Sequence, residues 1–173
     1  MFSWLNKRKK EEERLKMLME AAGRGNRAAL VNEALASVGV QRKEFRSEEL
    51  YAGYGANAVL EEAKKRSRVS REMDDQEIVD LLFLGVFSDH LSRVLQIDGR
   101  NSMLSAELAF KPIEKVADEV GLIIEIHNAH AKSNGVAQRA IGETFARWIS
   151  TPEEKHLDDL GHLYEMTTEA SRP

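Results

Sequence analysis

The sequence predicts an all-α protein, an irregular bundle of six or seven helices with a projecting N-terminal helical arm. Apolar residues recur at i, i+3, i+4 and i+7 through most of the chain, the spacing of one buried helix face. Gly and Pro are sparse, at 11 and 3 of 173 residues, so few positions interrupt a helix. The β-branched run "LIIEI", Leu122 to Ile126, has no obvious partner run, and a lone strand would leave its backbone groups unpaired. Hydrophobic residues at 42% and charged residues at 31% describe a folded chain rather than a disordered one. The length suits one domain, since single cores are comfortable at roughly 100–200 residues. The expected division is a basic helical arm or helix pair over 1–46 and a bundle core over 47–173.

Taken in order, Leu15, Leu18, Met19 and Ala22 mark a first helix. "GRGNR", Gly23 to Arg27, interrupts it, and Asn26 is placed to cap a second helix running to Val38 with Leu30, Val31, Ala34 and Leu35 inward. Gly39 stops that helix. Ser47 offers the N-cap of a third, with Glu48 and Glu49 in the first turn where the helix dipole favours acid. Gly53 and Gly55 in its middle either permit close helix approach or form a loop. "KKRSRVSREMDD", Lys64 to Asp75, reads as an exposed linker.

Asp74 or Asp75 caps the most apolar helix, Gln76 to about Ile97, whose stripe includes Val79, Leu82, Phe83, Val86, Phe87 and Val94. Apolar residues nearly all round its first half place it at the centre of the core. A further helix begins near Ser102 and breaks or kinks at Pro112. "LIIEI" starts another, pausing at "SNG" and continuing with Ile141, Thr144, Phe145, Trp148 and Ile149 on one face. "TPEE", Thr151 to Glu154, is the signature of a last helix with Thr151 as cap, Pro152 in its first position and Glu154 reaching back in a capping box. Leu157, Leu160, Leu163 and Tyr164 point inward from it.

Charge is unevenly placed. Residues 1–71 carry 16 Lys and Arg against 10 Asp and Glu, whereas the remainder carry 9 against 19. The first part is therefore suited to an anionic partner such as nucleic acid, a membrane surface or the acidic part of another copy. No cysteine is present, which removes disulfides, thiolate catalysis and Cys-based zinc sites. The longest apolar run, "LLFLGVF" at Leu81 to Phe87, falls far short of the roughly 20 residues that cross a bilayer. The N-terminus has its basic cluster after its apolar residues, unlike a secretory signal. A cytoplasmic protein, peripheral at the inner membrane surface if it meets a membrane at all, is expected.

Three groups of residues offer chemistry. Phe2, Trp4 and Leu5, followed at once by Lys7, Arg8, Lys9 and Lys10, suit docking in a protein groove or at an anionic membrane boundary. Val38, Gly39 and Val40 followed by Gln41, Arg42, Lys43 and Arg46 resemble a DNA-reading helix-turn-helix over residues 28–50, because Arg and Lys bind guanine edges or phosphates and Gln reads adenine. Against this, Leu35 is large for the close-packed helix pair, and Glu44, Glu48 and Glu49 bring carboxylates toward phosphate. His127 and His130 share a helix face, and His90 would be the third ligand of a metal site. Glu154, Asp158 and His162 also line one helix side, which suits a cation or an ordinary acidic surface. No Ser-His-Asp arrangement or carboxylate pair follows from spacing, and no cofactor or small-molecule substrate is expected. The function that these features favour is non-enzymatic: a helical adaptor or regulatory protein binding another macromolecule, most simply a protein or a second copy. A DNA-binding regulator and a metal-binding enzyme or sensor are the alternatives.

Overall fold

The computed structural model describes residues 23, 25–69, 76–99 and 135–170. All regular elements among them are helical, and five α-helices lie among the described residues. α1 covers residues 25–37, α2 Glu48–Arg66, α3 Gln76–Leu95, α4 Val136–Ser150 and α5 Glu154–Ala170. The expected helices between residues 101 and 134, and the chain before residue 23, lie outside the described residues. None of the described helices is long and apolar enough to cross a membrane.

α3 packs against α2, α4 and α5, and α5 packs against α2, α3 and α4, so the two share the middle of the bundle. Leu81, Leu82, Phe83 and Leu84 are successive and all buried, which is the signature of a helix with neighbours on several sides. α4 buries Ile141, Thr144, Phe145, Trp148 and Ile149, the stripe that its periodicity predicts. α5 buries Leu157, Leu160, Gly161, Tyr164 and Thr168.

α1 ends as its glycine predicts. Gly39 has φ +86°, its N–H donates to the Ala36 carbonyl at 3.0 Å, and the Val40 N–H donates to the Leu35 carbonyl at 2.9 Å. This is a Schellman C-cap, with the hydrophobic pair Val40 and Leu35 beneath it. Val31, Ala34, Leu35 and Val40 belong to the common core, so this part of the expected arm packs on the bundle. α3 ends with the same two bonds, from Gln96 to Arg93 and from Ile97 to Ser92, but its left-handed residue is Gln96, at φ 58°. An L-residue there carries a steric cost that glycine avoids. Gln96→Gly is expected to raise stability by about 0.5 kcal/mol, part of the relief being offset by the freer unfolded chain; the urea midpoint measures it.

Four local expectations are corrected. Gly23 and Gly25 are both helical, so Asn26 lies within α1 and does not cap it. Lys64, Lys65 and Arg66 are the last turn of α2 rather than linker, because Lys64 and Arg66 find acidic partners on other helices. Thr151 is the C-cap of α4, its N–H donating to the Arg147 carbonyl, and α5 starts only at Glu154. The Thr151 carbonyl accepts from the Glu153 N–H and lies 2.9 Å from His156 Nδ1, so the capping box is not formed. α3 stops at Leu95, and Ile97 is past its cap.

Gly53 and Gly55 sit inside α2 and are buried, and Gly55 allows close helix approach. A Cβ on Gly55 would stand 2.7 Å from Leu35 Cδ1. Gly161 is a less yielding contact: its Cβ would meet Arg66 Cβ at 2.8 Å and the Ala63 carbonyl oxygen at 3.1 Å. Backbone atoms cannot step aside, so Gly161→Ala is expected to cost about 1–2 kcal/mol despite its better helix propensity. A thermal melt would show it as a lower midpoint.

Candidate functional site

Two clusters stand out among the described residues, one buried and one exposed. The buried one begins with Asp80, a carboxylate on the inner side of α3 that is 7% exposed. Lys64 Nζ on α2 donates to Oδ2 at 2.7 Å, and the Tyr164 hydroxyl on α5 donates to Oδ1 at 2.6 Å. Glu61 lies 3.6 Å from the same ammonium. Burial pushes the Asp80 carboxyl above the usual carboxylate range, outweighing the opposing effect of both donors. Tyr164 is pushed up first by burial and then by its bond to Asp80. One side chain thus joins three helices through charge-assisted bonds.

Beside it, Arg66 spans α2 and α5. Its guanidinium bonds Asp158 at 2.6 Å and Glu62 at 3.1 Å, and Asp158 raises its pKa further. The acidic stripe Glu154, Asp158 and His162 is therefore partly used inside the molecule. Glu154 Oε2 is 4.0 Å from Arg66, while His162 is exposed.

The exposed cluster forms where α1 turns into α2. Residues Arg42–Glu44 make a single 3-10 turn, and α2 begins at Glu48 with the Ser47 hydroxyl accepting from the Leu50 N–H at 3.3 Å. A recognition helix opening directly after Gly39 is not what this segment forms. Arg42 turns inward: Nε and Nη2 donate to Glu48 Oε1 at 2.9 and 2.7 Å, and Nη1 donates to the Phe45 carbonyl at 2.7 Å. Its guanidinium also lies 5.7 Å from the Tyr51 ring centroid. Tyr51 is buried, and its hydroxyl is pushed up to about 12 by burial, with Glu48 adding and Arg42 opposing. Gln41, Lys43 and Arg46 remain exposed. Between them Phe45 contacts Tyr51 and Tyr54, with ring centroids at 5.7 and 5.3 Å. Tyr54 is 57% exposed, and Lys43, Glu44 and Arg46 are exposed in the turn that leads into α2.

His90 lies against the aromatic core, its ring edge-on to Phe145 at 5.4 Å. Burial lowers its pKa, Asp89 opposing to a smaller extent and Arg93 adding slightly to the lowering. His127 and His130 lie outside the described residues, as do Phe2, Trp4, Leu5, Lys7, Arg8, Lys9 and Lys10. Among the described residues no three His, Asp or Glu side chains are grouped to hold a metal ion.

Sequence reasoning passed over Lys64, Asp80 and Tyr164 as a set. The available signal was Asp80 itself, which shares a stripe with Phe83 and Phe87 at i, i+3 and i+7 and so needs a cation from elsewhere. The comparisons identify no relative: no family model matches the chain, and no curated protein or solved structure is significantly similar to it.

Proposed function

We propose that the protein is a non-enzymatic helical adaptor or regulatory protein that binds another macromolecule, most simply a protein, through its outer surface. The observation that carries this reading is the corner at the start of α2: Tyr54 is exposed against Phe45, and the turn carrying Phe45 also exposes Lys43 and Arg46. Tyrosine and arginine supply much of the energy of protein interfaces, because they offer large contact area together with a polar end. The buried Lys64–Asp80–Tyr164 cluster has a structural role in this reading, since its polar atoms are spent on one another. The wider molecule is a bundle of six or seven helices in the cytoplasm. The apolar and basic N-terminus from Phe2 to Lys10 is a second docking element, toward a partner or an anionic membrane surface.

Capture from native lysate with and without nuclease tests the partner's class. A protein that stays bound after nuclease is the expected result. Nucleic acid recovered before treatment and lost after it would instead assign Gln41, Lys43 and Arg46 to nucleic-acid contacts.

A further inference from the structure

The corner where α1 turns into α2 holds two buried polar atoms that nothing satisfies. Glu48 Oε1 takes both of the bonds that Arg42 gives to this carboxylate, at 2.9 Å from Nε and 2.7 Å from Nη2, while Glu48 Oε2 is buried with no donor. The Tyr51 side chain is fully buried, and its hydroxyl has no acceptor. A buried donor and a buried acceptor left unpaired each carry a desolvation cost. The two residues stand at the i, i+3 spacing that puts side chains on one helix face, and the carboxylate acts on the phenol, adding to the rise in its proton affinity. One hydrogen bond from Tyr51 to Glu48 would satisfy both atoms. It does not form while Arg42 holds the carboxylate.

Arg42 is the group placed to move. Its bonds all end within its own stretch of chain, two on Glu48 and one on the Phe45 carbonyl at 2.7 Å, and a single 3-10 turn, Arg42–Glu44, carries it. The side chain is 33% exposed, so a group arriving from outside can reach it. Passing a guanidinium from one carboxylate to another replaces its two charge-assisted bonds in kind. The balance then turns on what becomes of Glu48.

We propose that Arg42 is a binding residue held in reserve, which passes from Glu48 to a carboxylate of the partner protein when an acidic segment docks at this corner, while the Tyr51 hydroxyl takes over as donor to Glu48. This role rests on the corner being the docking site, and it names the chemistry met there, a segment bearing Asp or Glu. The exchange keeps a donor on Glu48 and joins the two atoms that are otherwise unpaired. It also adds a third cation to the exposed Lys43 and Arg46 only when an anion is present to receive it.

Two measurements on the full chain test the exchange. The first needs no partner: Tyr51→Phe leaves the urea midpoint of the wild-type chain unchanged or raised, and lowers it in the Arg42→Ala chain, where the hydroxyl has become the donor to Glu48. An equal effect in both backgrounds would overturn the proposal. The second is a titration with poly-L-glutamate at low salt, followed by the Arg42 Nε–Hε resonance, and it decides alone should Arg42→Ala not fold. A shifted resonance, with binding roughly threefold weaker in Tyr51→Phe, is expected. A resonance that stays in place, or equal binding by Tyr51→Phe, overturns the exchange. Lys43→Ala and Arg46→Ala separate it from the docking site beneath it. If they weaken binding while the Arg42 resonance stays in place, the exchange alone falls; if neither weakens it, or no binding occurs at all, the docking site falls too.

Discussion

Replacing Asp80 alone by leucine lowers stability by about 3 kcal/mol, read as a fall in the urea midpoint at unchanged slope. Two groups lose their partner at once. The Tyr164 hydroxyl stays in the core without an acceptor, and the Lys64 ammonium loses its 2.7 Å contact. Lys64 is partly exposed, at 26% of its side chain, and can turn toward water, which places the cost at the lower end for a broken buried pair. Tyr164→Phe removes one of the two bonds, and its cost is about 1–2 kcal/mol. In the double variant the two costs do not add, because the bond between these residues is lost only once.

Phe145→Ala lowers stability by about 3–5 kcal/mol, the largest loss expected from any single core truncation described here. Its ring stacks on Phe87 at 4.3 Å and contacts Trp148 at 5.8 Å and the edge of His90 at 5.4 Å. The side chain is fully buried between α3 and α4, and three surrounding rings are too rigid to fill the space it leaves. Phe145→Leu, which keeps most of the volume, costs less than half as much. Calorimetric melts of both variants show whether the loss follows volume as a cavity requires.

Much of the fold was legible because its signals are local. The stripe from Ile141 to Ile149 follows the helical period without a break, and Gly39 ends α1 because a left-handed C-cap favours that residue. Ser47 caps α2 for an equally local reason. The misread segments are those where distant contacts decide. "KKR" at the end of α2 has the composition of a linker, yet Lys64 pairs with a residue 16 positions on and Arg66 with one 92 positions on. "TPEE" has the residues of a capping box, but α4 continues to Ser150 and takes Thr151 as its own C-cap. At Gly161 nothing in the sequence marks that Arg66 and Ala63 press against it.

For the candidate site, exposure of Gln41, Lys43 and Arg46 was readable from polarity. The capture of Arg42 by Glu48 was not, because both ends of an ion pair look like surface charge in sequence. Tyr54 carried no signal either. Its exposure depends on Phe45 lying beneath it and on the 3-10 turn that puts Phe45 there.

The most direct measurement is recovery of the bound macromolecule by the wild-type chain and by a Lys43→Ala, Arg46→Ala, Tyr54→Ala variant, side by side. All three side chains are exposed, so the variant should melt within about 1 kcal/mol of wild type. Recovery falling at least tenfold, the effect of about 1.4 kcal/mol in binding, is expected with the fold intact. Full recovery by the folded variant would contradict the assignment of binding to the corner where α1 turns into α2.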